Sequence, residues 1–150
     1  MSPQVYDKND LAWTSRGDYV VAHNGDIMDT NTDPLRSLYQ EVKTRIKSNI
    51  GDWKLNQNVG ASLGDFVGEP NNKMTAESIK TRIKTSLTKD GFINSKDIKI
   101  KYMPVDVDML MFRVSIEVAK TAKNAGSENL KINVIYNYSE NNIYVASGRT

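Results

Sequence analysis

Apolar residues recur at three- and four-residue steps in two stretches before Gly91 and at every second residue after it, so the chain reads as helices followed by strands. Leu35, Leu38, Tyr39, Val42 and Ile46 share one face of a first helix. Asp33 is placed to cap that helix, Pro34 suits its first turn and Gly51 ends it. Met74, Ile79, Ile83 and Leu87 form the stripe of a second helix, with Thr75 as its cap and Met74 and Ile79 as a hydrophobic staple. Asp90-Gly91 stops it, and Phe92-Ile93 is expected to tuck back against the core.

Beyond Gly91 the period changes to two. Ile98, Ile100 and Tyr102 alternate with lysines; Phe112, Val114, Ile116 and Val118 form a second run; Leu130, Ile132, Val134, Tyr136 and Tyr138 form a third; residues 143–146 form a short fourth. Residues 104–108 read as a turn and 119–128 as a longer solvated loop. Ahead of the first helix, residues 19–22 read as a strand, His23-Asn24-Gly25-Asp26 as a turn and Ile27-Met28 as the return of a small hairpin. No internal repeat or low-complexity segment stands out.

Between the helices, residues 52–68 are too rich in glycine for a helix and too apolar for a solvated loop. They are expected to form a compact crossover with a helical turn near residues 62–67. Trp53, Leu63, Phe66 and Val67 would wedge between helices and sheet, with Gly60 and Gly64 as packing glycines. The expected fold is α+β, two helices packed on one face of a mostly antiparallel sheet in a two-layer sandwich. Residues 1–9 are expected to be a flexible N-terminal arm and residues 10–150 a single domain.

Composition narrows the chemistry. Twenty basic against eighteen acidic residues is a near balance, which does not imply nucleic acid. The absence of cysteine removes disulfides, thiolate catalysis and thiolate metal sites. No window has the length of a membrane span and the first residues lack a signal-peptide pattern, so a soluble, non-exported protein is expected.

Two carboxylate pairs, Asp65/Glu69 and Asp106/Asp108, have spacings that could serve acid-base hydrolysis, but residues of this type beside glycine and proline more often serve turns. His23, the lone histidine, sits at a turn, and neither a metal nor another cofactor is indicated. Asn137-Tyr138-Ser139 has the form of a glycosylation acceptor and is read as a strand end. Arg36, Lys43 and Lys47 lie on one stripe of the first helix, a candidate contact surface for an acidic partner, while Lys80, Arg82, Lys84 and Lys89 crowd the second. The last strands are rich in tyrosine and asparagine and lightly charged, so Lys131, Asn133, Ile135, Asn137 and Tyr144 are candidates for an open edge that accepts a strand from another chain.

Gly25-Asp26-Ile27, residues 35–46, Gly51-Asp52-Trp53, residues 59–63 and Gly68 together resemble the small baseplate wedge proteins of contractile-tailed bacteriophages, a sheath-initiator family also labelled lysozyme-like and related to type VI secretion baseplate proteins. The resemblance covers residues 10–145. It implies a non-enzymatic structural component of the virion tail, assembled in the host cytoplasm and present in several copies around a six-fold axis. The implied partners are other wedge proteins and the tail sheath protein, with the tail tube or hub as a further neighbour and neither nucleic acid nor membrane. The family's Glu-Pro-Arg after the second helix is replaced here by Lys89-Asp90-Gly91-Phe92-Ile93, so that contact cannot be carried over. A small hydrolase using one of the carboxylate pairs is the alternative, and a nucleic-acid-binding module comes third.

Overall fold

A computed structural model describes residues 10–14, 16–30, 34–119, 127–137, 139–140 and 142–147. Helix α1 (Pro34–Lys47) and helix α2 (Lys73–Thr88) precede strands β1 (Ile98–Asp106), β2 (Met109–Ala119), β3 (Ser127–Asn137) and β4 (Asn142–Ser147). The strands form one antiparallel sheet in chain order, β1-β2-β3-β4. Its alternate residues, among them Ile100, Phe112, Val114, Ile132, Val134 and Tyr136, share a single core with Leu38, Val42 and Ile46 of α1 and Ile79, Ile83 and Leu87 of α2. This is the expected α+β two-layer arrangement. Register keeps like with like: Phe112 lies between Tyr102 and Val134, and Val114 between Ile100 and Ile132, so the apolar face continues across the sheet.

Several local expectations change. Asn72, not Thr75, caps α2, because its side-chain oxygen accepts the Thr75 amide at 2.9 Å. That places Met74 in the first turn with its side chain 78% exposed, while Thr75 and Ala76 face the core instead. α1 ends at Lys47, and Gly51 occupies a turn beyond it at φ +96. The proposed Asp33 cap, the residue 1–9 arm and Tyr138 lie outside the described residues. β1 runs through Pro104, with a register irregularity before Asp106, so the turn to β2 is only Val107-Asp108. Asn71 pins that turn, donating to the carbonyls of Asp106 and Val107.

The crossover is buried only in its second half. Ala61 and Leu63 join the core and a 3-10 turn spans Leu63–Phe66, as expected, but Trp53, Leu55 and Val67 are exposed and Phe66 is half-buried. Arg82 of α2 holds this turn, reaching Asp65 at 3.1 Å and stacking over the Phe66 ring. Gly60 has φ +135, and a Cβ there would meet the Asn49 carbonyl carbon at 2.5 Å, so the crossover runs against the backbone after α1 where only glycine fits.

The largest departure precedes α1. Residues 10–30 form no simple hairpin. They make a three-sided ring of isolated bridges pairing Trp13 with Tyr19, Val21 with Ile27 and Leu11 with Asp29. The Ala12 amide donates to Met28, that of Val20 to Ala12 and that of Met28 to Val20, a closed cycle of bonds at 2.8 to 2.9 Å. At the corners the amides of Thr14, Ala22 and Thr30 donate to the carbonyls of Asp18, Asp26 and Asp10. The partners advance by eight residues each time, and so does the sequence: Asp10, Asp18 and Asp26 open successive octads, and Gly17 and Gly25 close the first two at φ +94 and +88. An internal repeat is therefore present.

Candidate functional site

The outer stripe of α1, opposite its core face, forms the floor of a groove of about 1070 Å³. Arg36, Gln40, Lys43 and Lys47 line it from the helix, Trp13 from the ring, Trp53 from the loop after α1, and Val145 and Ala146 from the edge strand β4. Local bonds fix these walls. The Trp53 indole donates to Ser48 Oγ at 3.0 Å, and Asp52 accepts the Asn49 amide at 2.7 Å, which holds the loop back on the end of α1. Trp13 is fixed through its backbone: its amide donates to Gln40 Oε1 at 2.8 Å and its carbonyl accepts from Arg36 Nη2 at 3.1 Å. Gln40 Nε2 completes the clasp by donating to the Leu11 carbonyl at 3.0 Å.

The structure thus brings Arg36, Lys43 and Lys47 together as the sequence stripe implied. Their states differ. Arg36 is already engaged with the ring, and burial, reinforced by the neighbouring Lys47 charge, holds the Lys43 ammonium below its ordinary pKa. Arg16, Arg36, Lys43 and Lys47 face Asp10, Glu41 and Asp52 across the groove, and Glu41 is turned to Arg45 at 3.2 Å, so the groove presents an excess of positive charge.

The predicted edge residues are not brought together. β3 is paired on both sides, to β2 and to β4, so Lys131, Asn133, Ile135 and Asn137 belong to an internal strand; only Tyr144 lies on an edge. Alternation misled here because it marks the exposed face of a strand and carries no information on its neighbours. The sheet's two edges also differ. β1 carries Pro104, which has no amide to donate, together with the exposed Lys99 and Lys101, features that discourage pairing. β4, Asn-Ile-Tyr-Val-Ala-Ser, has neither proline nor charge. The Tyr39 hydroxyl donates to the Val145 carbonyl at 3.4 Å, which puts the backbone groups of Val145 on the side away from β3 and those of Tyr144 toward it.

The remaining candidates lie apart from the groove. Asp65 is paired with Arg82, Asp106 accepts the Val107 amide at 2.7 Å, and His23 is exposed at a ring corner. Among the described residues no group of three or more histidine, cysteine or acidic side chains is arranged to hold a metal ion, and no helix is long and apolar enough to cross a membrane. No family model matches the chain, and no curated protein matches it.

Proposed function

We propose that this protein is a structural subunit of the inner baseplate wedge of a contractile phage tail, where it joins neighbouring wedge proteins and starts the sheath by accepting a strand on β4. The observation that carries the reading is the contrast between the sheet's edges. β4 lacks the proline and lysines that guard β1, and at the rim of the groove it turns outward the Val145 amide, beside a carbonyl that Tyr39 already engages. An incoming strand gains main-chain hydrogen bonds from β4, and side-chain contacts with Trp13, Trp53 and the α1 cations supply selectivity. The excess of positive charge suits an acidic or polar-apolar alternating strand. The wedge partners, the six-fold setting and the site in the virion rest on the family resemblance.

Val145→Pro tests the reading, since it removes an outward amide while leaving the bonds to β3 in place. Tails assembled with this variant should show baseplates and tubes but little sheath by negative-stain microscopy, whereas Val145→Ala should support near-normal sheath. A Val145→Pro protein with the parent's circular dichroism and normal sheathed tails would remove the strand-pairing role.

A further inference from the structure

The ring has three sides, and among the described residues the bonds from α1 reach its first side. On that side the outward groups of Leu11 and Trp13, a carbonyl and an amide two residues apart, are both taken by the Gln40 carboxamide, and Arg36 one turn earlier takes the Trp13 carbonyl. Eight residues on, Tyr19 and Val21 hold the same positions in the ring. Among the described residues the Tyr19 carbonyl and the Val21 amide have no hydrogen-bond partner. Their side chains are also strongly exposed, Tyr19 at 53% and Val21 at 62%, with Ile27 beside Val21 at 51%.

We propose that the Tyr19–Val21 side of the ring is a second docking edge, which receives a basic amphipathic helix from another protein through a side-chain carboxamide flanked by an arginine at i−4. Two observations favour a helix over an added strand. The side is three residues long, about 7 Å at the usual strand rise, so a strand would gain only the two bonds that one carboxamide supplies. The molecule itself meets the equivalent side with a helix and not with a strand. Charge selects the partner's sign: residues 10–30 carry Asp10, Asp18, Asp26 and Asp29 against Arg16 alone. The exposed Tyr19, Val21 and Ile27 supply the apolar contact that hydrogen bonds of this kind need in order to hold in water. The site is separate from β4, so its failure would leave the sheath reading untouched.

The probe is a lactam-bridged helical peptide with the sequence of residues 34–47, which carries the Arg36/Gln40 pair, added to the full-length isotope-labelled protein. Amide shifts should move at Tyr19, Val21 and Ile27, and a Gln40→Leu peptide should bind about ten-fold more weakly, as expected for the loss of a two-bond contact. Val21→Pro in the protein should abolish the shifts while the Ala12, Val20 and Met28 amides keep their positions. Equal binding of the two peptides, no movement at Val21, or movement confined to Leu11 and Trp13, which signals displacement of α1, would each overturn the proposal. Shifts at Val21 that depend on protein concentration without peptide would assign the edge to a second copy of this chain and overturn it as well.

Discussion

Arg45 and Ser86 tie the two helices together reciprocally: the Arg45 guanidinium donates to the Ser86 carbonyl at 3.4 Å, and the Ser86 hydroxyl donates back to the Arg45 carbonyl at 3.1 Å. Arg45 is buried, stacked 4.1 Å over the Phe92 ring and bonded to Glu41. Arg45→Ala strands these partners and opens space between the helices, and it should destabilise the fold by about 3 kcal/mol. Arg45→Met, which keeps the volume, should cost about 1 to 2 kcal/mol less than that. Urea midpoints measure both, and equal losses would show that filling the space contributes nothing and that the guanidinium's bonds carry the whole effect.

The crossover offers a second contrast. Leu63 is fully enclosed whereas Phe66 is half-buried, so Leu63→Ala should cost about 2 to 5 kcal/mol and Phe66→Ala clearly less, despite its larger side chain. Denaturant unfolding gives the order directly.

Backbone contact makes Gly60 unlike Gly51. Both have positive φ, but a Cβ at Gly51 meets open space and at Gly60 the Asn49 and Ser48 backbone. Gly51→Ala should therefore cost about 1 kcal/mol and Gly60→Ala at least about 2 kcal/mol. Thermal melts of the two variants should rank them in that order.

Two titrations probe the surface. The Tyr102 hydroxyl donates to Glu77 at 3.0 Å, and this bond, with desolvation and the Glu77 charge, raises its pKa above 10.0. The fold favours the neutral phenol, so its contribution is present below pH 10.0 and is lost as pH rises through the raised value. Glu77→Ala should bring Tyr102 back toward 10.0 in an ultraviolet titration. Lys43 is shifted the other way, below 10.5, first by burial and then by Lys47. Lys47→Gln should move it only part of the way back in an NMR titration, because burial remains.

Gln40 controls the ring's attachment. Gln40→Leu removes its bonds to Leu11 and Trp13 while leaving the cycle through Ala12, Val20 and Met28 intact. Hydrogen exchange should accelerate at the Trp13 amide and stay slow at Val20; acceleration at both would mean that the ring depends on the helix for its own closure.

Periodicity made the helices, the strands and their burial legible, because each core position sits on a face long enough to repeat. It failed where the repeat is short or the answer lies across the chain. Each ring side contains too few residues for alternation to declare itself, and the octad signal rests on little more than Asp10, Asp18 and Asp26 with Gly17 and Gly25. Asn72 and Thr75 are both competent caps, and only the placement of Ala76 against the core selects the first. At the candidate site the α1 cations could be read from helical spacing. Trp13 and Val145 could not, since contacts far apart in sequence bring them to the groove, and Trp53 is placed by a turn bond to Ser48 that periodicity does not mark.

The chain enters and leaves the ring at a single corner, where the Thr30 amide donates to the Asp10 carbonyl at 2.8 Å and the Asp10 amide to Thr30 Oγ1 at 2.9 Å. A segment whose ends already meet imposes almost no span on whatever holds it, and of its described side chains only Ala12 and Thr30 are buried. Residues 10–30 therefore have the geometry of a portable cassette: spliced between the ends of a tight surface turn on an unrelated scaffold, the octads would carry their own pairing with them and display three outward ribbons open to redesign.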